Sequence, residues 1–414
     1  MINAKGCFGM RNFDVIVAGG SASGLAAAIG AKRLNPKLNI AVIEKLPRVG
    51  KKILATGNGK CNLTNFDALS HEYENFAFAK IALQKYPPKK ILDFFASMGL
   101  LCYADSEKRV YPRSNMAASV LDALRFEAER LGVEMITDTE VTKTEKKNGR
   151  FIVNGSFVSE KLVVACGGKA SPSQGSDGSG YALAKSFGHS ITALYPALVP
   201  LTVADDITKS VKGMRARNVL LTLENGKILQ QSRGEILFTD NGLSGIAAME
   251  LAARACKSLE NAKRKTFTHI DFVPDMTVDE IVAYLQEVKK INANRALDYI
   301  LSGLLPKSIG IAICKACELY KFDTTIGNLN RNDLVALAEK LKDFVLEVKG
   351  TKGFTNAQIT SGGVRVSEIN PETMESKLCK DLYFAGEIID VHGGCGGFNL
   401  QWAWASGLLA GELR

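Results

Sequence analysis

The residues best suited to chemistry in this 414-residue chain are glycines placed where backbone N–H groups can face an anion. Gly19-Gly20-Ser21-Ala22-Ser23-Gly24 follows the apolar, β-branched run Phe13–Ala18 without a linker and passes into the small helix formers Leu25-Ala26-Ala27-Ala28. That order predicts a strand, a tight turn and a helix ending near Leu34, ahead of Asn35-Pro36. A second strand, Asn39–Ile43, ends in the acid Glu44. A carboxylate about twenty residues past the last turn glycine is where a dinucleotide ribose is bound, while the free N–H groups and dipole of the helix N-terminus hold the pyrophosphate. Ser21 stands where the G-x-G-x-x-G pattern has its second glycine. Serine is small enough for the pyrophosphate to approach, and its hydroxyl can donate to a phosphate oxygen. A βαβ unit without a ligand can share this hexapeptide, but strand, helix and terminal acid fall in register for a nucleotide.

Two later stretches repeat the pattern. The apolar strand Lys161–Ala165 runs into Cys166-Gly167-Gly168, which puts that turn at the same carboxyl-end crevice as the first. Near the end, the strand Asp381–Ala385 leaves through Gly386-Glu387-Ile388-Ile389-Asp390, and Gly393-Gly394-Cys395-Gly396-Gly397-Phe398-Asn399-Leu400-Gln401 opens a helix containing Trp402 and Trp404. N–H groups at such a helix end suit the negative charge on the pyrimidine side of a reduced flavin. From Lys45 to Asn65 the chain is rich in Gly, Asn and Thr with two cationic clusters, and reads as a long loop whose donors suit phosphates or a flavin edge. Cys61 lies in it without a partner cysteine nearby in sequence, which favours packing over redox chemistry.

The elements that position these turns follow from periodicity. A helix is expected from about Ala77 to Ser97, a strand at Leu101–Ala104 and an extended piece at Arg109–Pro112. Ser114 is expected to cap a helix from Met116 to Leu131, with Val120, Leu121, Leu124, Ala128 and Leu131 on its apolar face. Glu134–Glu145 and Arg150–Val153 read as strands around the hairpin signal Lys147-Asn148-Gly149. After Tyr195 the character changes to short strands (Val199–Val203, Val219–Leu223, Lys227–Gln230, Glu235–Phe238, His269–Phe272) and helices (Val278–Ala296, Ile309–Tyr320, Asn332–Phe344), with no Gly-rich phosphate turn. Cys314 and Cys317 sit one helical turn apart and read as buried thiols, since no second pair follows at zinc-ligand spacing.

Length favours two or three domains, and the 46% apolar share is that of an ordinary globular protein. No apolar run approaches the roughly 20 residues that span a bilayer. The stretch Met1–Met10 lacks the apolar segment of a signal peptide, so the expectation is a soluble, cytoplasmic protein without a membrane partner. Nine scattered cysteines fit a reducing compartment better than a disulfide framework. The net charge of +9 suits an anionic partner, either a dinucleotide or nucleic acid. Basic pairs spread along the chain (Lys51-Lys52, Lys89-Lys90, Lys146-Lys147, Lys289-Lys290) read as solvated faces, which argues against nucleic acid.

In combination, these motifs resemble the bacterial flavoprotein family of NAD(P)/FAD-dependent oxidoreductases that includes aminoacetone oxidase-like and bile-acid enone reductase-like members. The resemblance rests on Gly19–Gly24, on Gly50-Lys51-Lys52-Ile53-Leu54 leading to Gly57-Asn58-Gly59-Lys60-Cys61-Asn62-Leu63-Thr64-Asn65, and on Arg109-Val110-Tyr111-Pro112-Arg113-Ser114. Thr360-Ser361-Gly362-Gly363-Val364 and Gly386-Glu387 through Gln401 complete it, while Ser21 and the His392/Cys395 loop depart from the family pattern. It implies an α/β fold: a Rossmann-like FAD domain split into residues 1–193 and 350–414 around an inserted β-barrel-like and helical substrate domain, 194–349. It implies FAD bound through Gly19, Gly20, Ser21, Ala22, Ser23, Gly24, Glu44, Lys45, Lys52, Gly57, Asn58, Gly59, Cys61, Asn62, Thr64, Val141, Cys166, Gly167, Gly168, Gly386, Glu387, Gly397, Phe398, Asn399 and Leu400, with no metal.

The expected activity is hydride transfer from NAD(P)H, as a transient co-substrate, through the flavin to a carbon–carbon double bond in a hydrophobic enone such as a 3-oxo bile acid or steroid. An oxidase of a small amine and an RNA-associated flavoprotein are the competing readings. A plain NAD dehydrogenase would not require the second Gly-rich turn near the C-terminus. The catalytic acid is not legible; Tyr111, Cys61 and His392 are candidates, His392 being the one histidine of four inside such a motif.

Overall fold

A computed structural model of the chain describes residues 10–260, 265–320 and 323–414. Most of the Met1–Met10 stretch discussed above lies outside the described residues, as does Cys7. The chain divides into two compact units, one built from the chain up to Leu194 together with Ile359–Arg414, the other from Tyr195–Gln358. The α/β fold with a split Rossmann-type unit and an inserted barrel-containing unit is what the sequence leads one to expect.

The first unit is organised on a seven-stranded sheet. Arg11–Ala18 lies parallel to Ile40–Ile43 on one side and to Phe157–Val164 on the other, with Glu134–Ile136 beyond Ile40–Ile43. Val15, Ile16, Val17 and Ala18 are at most 1% exposed, so this strand is buried on both faces, which is why it reads as an unbroken apolar run. Phe157–Val164 shares its far edge. Its first half pairs antiparallel with Arg150–Val153, and its second half pairs parallel with Leu382–Phe384 from the end of the chain. That last pairing returns the C-terminal segment to the first sheet. The helices Ala22–Leu34 and Phe398–Ala410 pack together through small residues; a methyl group on Gly407 would collide with the Ser23 carbonyl.

The second unit is a closed antiparallel barrel in the order Leu201–Val203, Gly242–Ser244, Ile228–Thr239, Arg215–Glu224, Thr266–Asp271, Phe344–Thr351, the last pairing back with the first. Helices Val278–Asn292, Lys307–Ala316 and Arg331–Lys342 belong to the same unit. Because Phe344–Thr351 is a barrel strand, the chain re-enters the first unit at Ile359.

Several local expectations change. Ala77–Ser97 is two helices, Phe76–Lys85 and Pro88–Ala96, because Pro87-Pro88 cannot continue the first but starts the second well. Ser114 is not the cap of Ala117–Arg130; Met116 stands at the cap, and the Ser114 hydroxyl accepts from the Met116 N–H at 3.3 Å and bonds Ser119 at 2.8 Å. Glu134–Glu145 is interrupted between Ile136 and Thr144, where the Thr139 N–H donates to the Glu44 carbonyl instead of a ladder partner. The expected strands Lys227–Gln230 and Glu235–Phe238 merge, apart from Lys227, into one strand, Ile228–Thr239. The expected loop 45–65 contains the short helix Lys51–Ala55 and a turn at Thr56–Gly59. The helix expected at Ile309–Tyr320 is Lys307–Ala316. Cys314 is fully buried but Cys317 only half so, and all eight cysteines among the described residues are free. No helix among the described residues is long and apolar enough to cross a membrane.

Candidate functional site

The first glycine turn is set by backbone sterics. Gly19 has φ +105°, and a methyl there would strike the Ala165 carbonyl; one on Gly24 would strike the Gly19 carbonyl. Both glycines therefore let two strands and a helix meet at one point. Ser21 is the N-cap of Ala22–Leu34, and its side chain makes no cap bond, which leaves the hydroxyl for a ligand. Glu44, 8% exposed, accepts from the Gly20 N–H at 2.9 Å through one oxygen and from the Leu46 N–H at 3.0 Å through the other. A carboxylate accepts up to about four hydrogen bonds, so capacity remains for ribose hydroxyls. Val141 is buried in the segment that begins where Thr139 meets Glu44.

A polar network ties the second turn to the rest. Lys52 bridges to Glu387 at 2.6 Å and donates to the Ala170 carbonyl at 3.3 Å. The other Glu387 oxygen accepts from the Thr360 N–H at 2.9 Å, and the Thr360 hydroxyl accepts from the Lys169 and Ala170 N–H groups at 2.7 and 3.0 Å. Gly168 is confined among these groups; a methyl there would lie 2.7 Å from Glu387. Gly167 has φ +74°, and the Cys166 thiol donates to the Ala18 carbonyl at 3.3 Å. Lys45 is paired with Asp177 at 2.6 Å.

The C-terminal glycine loop is built differently, by side chains. Asn399 folds back on it: its Oδ1 accepts from the Gly393 N–H at 2.9 Å, and its Nδ2 donates to the Gly393 and Gly394 carbonyls, both at 3.0 Å. His71 Nε2 accepts from the Gly394 N–H at 2.9 Å, and its ring stacks on Phe398 at 3.6 Å and 3°. Asn65 Nδ2 donates to the Gly396 carbonyl at 3.0 Å. Gly397, φ +98°, caps the helix Phe398–Ala410 against Asn62 and Thr64. The Asn62 Oδ1 is buried with no hydrogen-bond partner among the described residues. The Trp402 indole donates to the Gly386 carbonyl at 3.2 Å, and the Ser23 hydroxyl to the Ala385 carbonyl at 3.2 Å, which joins the two helix N-termini.

Gly57, Asn58, Gly59 and Cys61 all have positive φ, a local coil that turns N–H groups outward. Burial pushes the Cys61 thiol up to about 12, and desolvation pushes Cys166 to about 12, so both are protonated thiols at neutral pH. Tyr111 lies outside the glycine turns, on a three-stranded sheet with Tyr103, and burial raises its phenol. His392 receives the Glu74 N–H on its carbonyl and faces Asp390, whose carboxyl burial raises. His71 escapes a sequence reading because it stands in no recognisable motif, and Thr360, though it opens the Thr360–Val364 motif, carries no role there that the sequence alone assigns; only distant chain segments bring them to the glycines. Among the described residues no cluster of three or more His, Cys, Asp or Glu could hold a metal.

Against known proteins, the chain is 37% identical over 402 residues to 3-dehydro-bile acid delta(4,6)-reductase of Clostridium scindens, covering 96% of this chain and 97% of that protein. It is 30% identical over 404 residues to ribosomal RNA dihydrouridine synthase of Escherichia coli, covering 96% of each. Among solved structures, Escherichia coli quinol fumarate reductase FrdA matches with a TM-score of 0.51 and 15% identity over 97% of this chain and 70% of that one, a likeness of fold alone. The model of the HI0933-like protein Rossmann domain matches residues 13–413. With that match spanning nearly the whole length, the chain belongs to the HI0933-like Rossmann family.

Proposed function

We infer that the protein is an FAD-dependent oxidoreductase that reduces a carbon–carbon double bond conjugated to a carbonyl, with NAD(P)H as the transient electron source. The observation that carries the flavin is the Asn62 Oδ1, a buried acceptor without a partner beside the N-cap glycine of a second helix. Leaving such an atom unpaired costs about 1–3 kcal/mol, so a ligand donor is called for there. A flavin pyrimidine offers an N–H donor between two carbonyl acceptors, which suits one side-chain acceptor flanked by helix-terminal N–H groups. Gly19–Gly24 and Glu44 would hold the pyrophosphate and the ribose, and Lys52 with Glu387 would fix the turn at Gly168.

FAD held by these residues would supply two-electron chemistry, with NAD(P)H as the reductant, water as the source of the proton taken up at the α carbon and the conjugated double bond as the oxidant. The chain's own residues hold the glycine turns through Glu44 and Asn399, keep the Cys61 and Cys166 thiols protonated, and tie Ser23 in the first turn of Ala22–Leu34 to the Ala385 carbonyl. Residues 194–350 carry no second strand, glycine turn and helix with its own acid in sequence, so NAD(P)H docks as a visitor with modest affinity.

Among conjugated carbonyl compounds a hydrophobic 3-oxo bile acid or steroid stands first, supported by the 37% relative. The second reading is the uracil ring of RNA, also an alkene conjugated to a carbonyl, supported by the 30% relative and the net charge of +9. We place it second because many of the cations are already paired with carboxylates, as in Arg215–Glu235, Arg233–Asp275 and Lys342–Asp271. The test is anaerobic: the yellow protein is reduced with NADH or NADPH, then mixed with a 3-oxo-Δ4 bile acid or with uridine-containing RNA, and flavin reoxidation is followed. Reoxidation by the enone is expected. Reoxidation by RNA alone replaces the first reading with the second, and rapid turnover of a small amine with oxygen replaces both with an oxidase.

A further inference from the structure

We propose that the outer face of the three-stranded sheet around Tyr103 and Tyr111 is the recognition subsite for a carboxylated, multi-ring conjugated ketone, with Arg113 as the partner of its carboxylate. The inference rests on the reductase reading above and names where that substrate's body and tail are held.

The sheet is Thr64–Asn65, Arg109–Pro112 and Cys102–Ala104 in that order, antiparallel throughout. Alternation assigns its faces. Val110 and Pro112 are buried on one. On the other stand Arg109, Tyr111 and Arg113 in a row, and Tyr103 directly opposite Tyr111. The Arg113 N–H donates to the Leu101 carbonyl at 2.8 Å, which extends the ladder by a residue and puts Leu101, 69% exposed, on the same face. The two tyrosine rings are 6.1 Å apart at 35°, and the Tyr103 hydroxyl is held by Asn115 Oδ1 at 2.7 Å. The Tyr103 ring, fixed in this way, and the Tyr111 ring packed beside it offer apolar surface at little further entropy cost.

Charge selects the ligand class. Arg109 is bound by Asp105 at 2.8 Å and Glu107 at 3.0 Å, and Lys108 by Asp67 at 2.8 Å. Arg113 is exposed, lies 5.8 Å from the Tyr103 ring centre, and forms no ion pair with the described residues. One uncompensated guanidinium beside two tyrosines and a leucine matches an apolar skeleton carrying a single negative charge. A polyphosphate chain would call for several free cations in a row.

Direction follows from register. Asn65 is the cross-strand partner of Arg109, and its Nδ2 is bonded to the Gly396 carbonyl of the C-terminal glycine loop. From the Arg109 level to Arg113 the strand advances four residues, about 13 Å at ~3.3 Å per residue. That run suits four fused rings with a short acid tail: the conjugated ketone toward the glycine loop, the carboxylate at Arg113.

The experiment compares KM and kcat for a 3-oxo-Δ4 bile acid and for a neutral 3-oxo-Δ4 steroid lacking the carboxylate, using the wild type, Arg113→Ala, Arg113→Lys, Tyr111→Ala and Tyr111→Phe. Arg113→Ala is expected to raise KM for the bile acid about tenfold or more, with kcat and the KM of the neutral steroid unchanged and partial rescue in Arg113→Lys. Tyr111→Ala is expected to raise KM for both substrates while Tyr111→Phe keeps them. FAD content checks that each variant is folded. Equal KM shifts for both substrates in Arg113→Ala, or none, overturn the proposal. So does an oligouridylate that binds with an affinity dependent on Arg113 while the bile acid does not. If the wild type reduces no enone, the reductase reading fails. Calorimetric binding of the bile acid to wild type and Arg113→Ala then decides the subsite by itself.

Discussion

The two glycine turns at helix N-termini in the first unit keep their shape by different balances of backbone fit and side-chain bonding. At Gly19–Gly24 the fit is backbone against backbone: added methyls meet the Ala165 and Gly19 carbonyls, and a single side chain, Glu44, takes a turn N–H. At Gly393–Gly397 one glycine, Gly397, is likewise closed in by a carbonyl, that of Thr64 at 2.6 Å from an added methyl, but the rest of the loop is held by side chains: Asn399 on three backbone groups, His71 on Gly394, Asn65 on Gly396. Where a carbonyl occupies the place of a Cβ, as at Gly19, Gly24 and Gly397, an added methyl is barred, whereas the side-chain bonds that hold the rest of the second loop can be loosened one at a time.

Gly24→Ala probes the first kind. Because its methyl has no room beside the Gly19 carbonyl, the expected loss is about 3 kcal/mol or more, read as a lowered melting temperature and a colourless protein. A yellow, stable Gly24→Ala protein would show that the first turn is adaptable after all. Glu44→Ala leaves the backbone fit in place and should weaken FAD by about 1.5–3 kcal/mol in a titration of apoprotein, with the fold intact; unchanged affinity would remove Glu44 from the ribose.

His71→Phe tests the second turn. The stack on Phe398 survives in it, but the Gly394 N–H loses its acceptor, for an expected cost of about 1–2 kcal/mol in stability and a faster release of FAD. The same bond gives a pH dependence. Burial lowers the His71 pKa below 6.5, its facing groups being Tyr73, Phe398 and Glu72. The neutral ring is thus the folded form; its contribution is complete above about 6.5 and is lost as pH falls toward the depressed value. Flavin retention followed from pH 8 to 5 should decline in the wild type, and a profile identical to that of His71→Phe would assign the decline elsewhere. The smallest effect belongs to Asn62→Ala: FAD weaker by about 1 kcal/mol, while the apoprotein, freed of an unpaired buried acceptor, melts no lower. An apoprotein clearly destabilised by this change would mean that Asn62 is satisfied without a ligand.

The same contrast separates what was legible in the chain from what was not. The Phe13–Ala18 strand, the helix to Leu34, the Ile40–Ile43 strand and the Asn148-Gly149 hairpin, with φ of +51° and +78°, follow from local sterics and two-residue periodicity. The break at Pro87-Pro88 was available to the same reasoning, since proline lacks an N–H and fixes φ. The cap of Ala117–Arg130 was not, because Ser114 had a competing partner in Ser119 that only the folded chain presents.

By itself, then, the sequence determined which residues have no Cβ, where charge stands at the end of a strand, and which runs are apolar enough to be buried on both faces. These are properties of residue types and near neighbours, so they survive any arrangement of the rest. Tertiary structure alone decided that Leu382–Phe384 lies against Phe157–Val164, that the barrel closes through Phe344–Thr351, that His71 and Asn65 bond glycines more than three hundred residues away, and that Thr360 packs on Gly168. The reason is physical: a hydrogen bond between remote segments forms only after chain closure, and its partner is set by the sheet register and helix packing that closure produces.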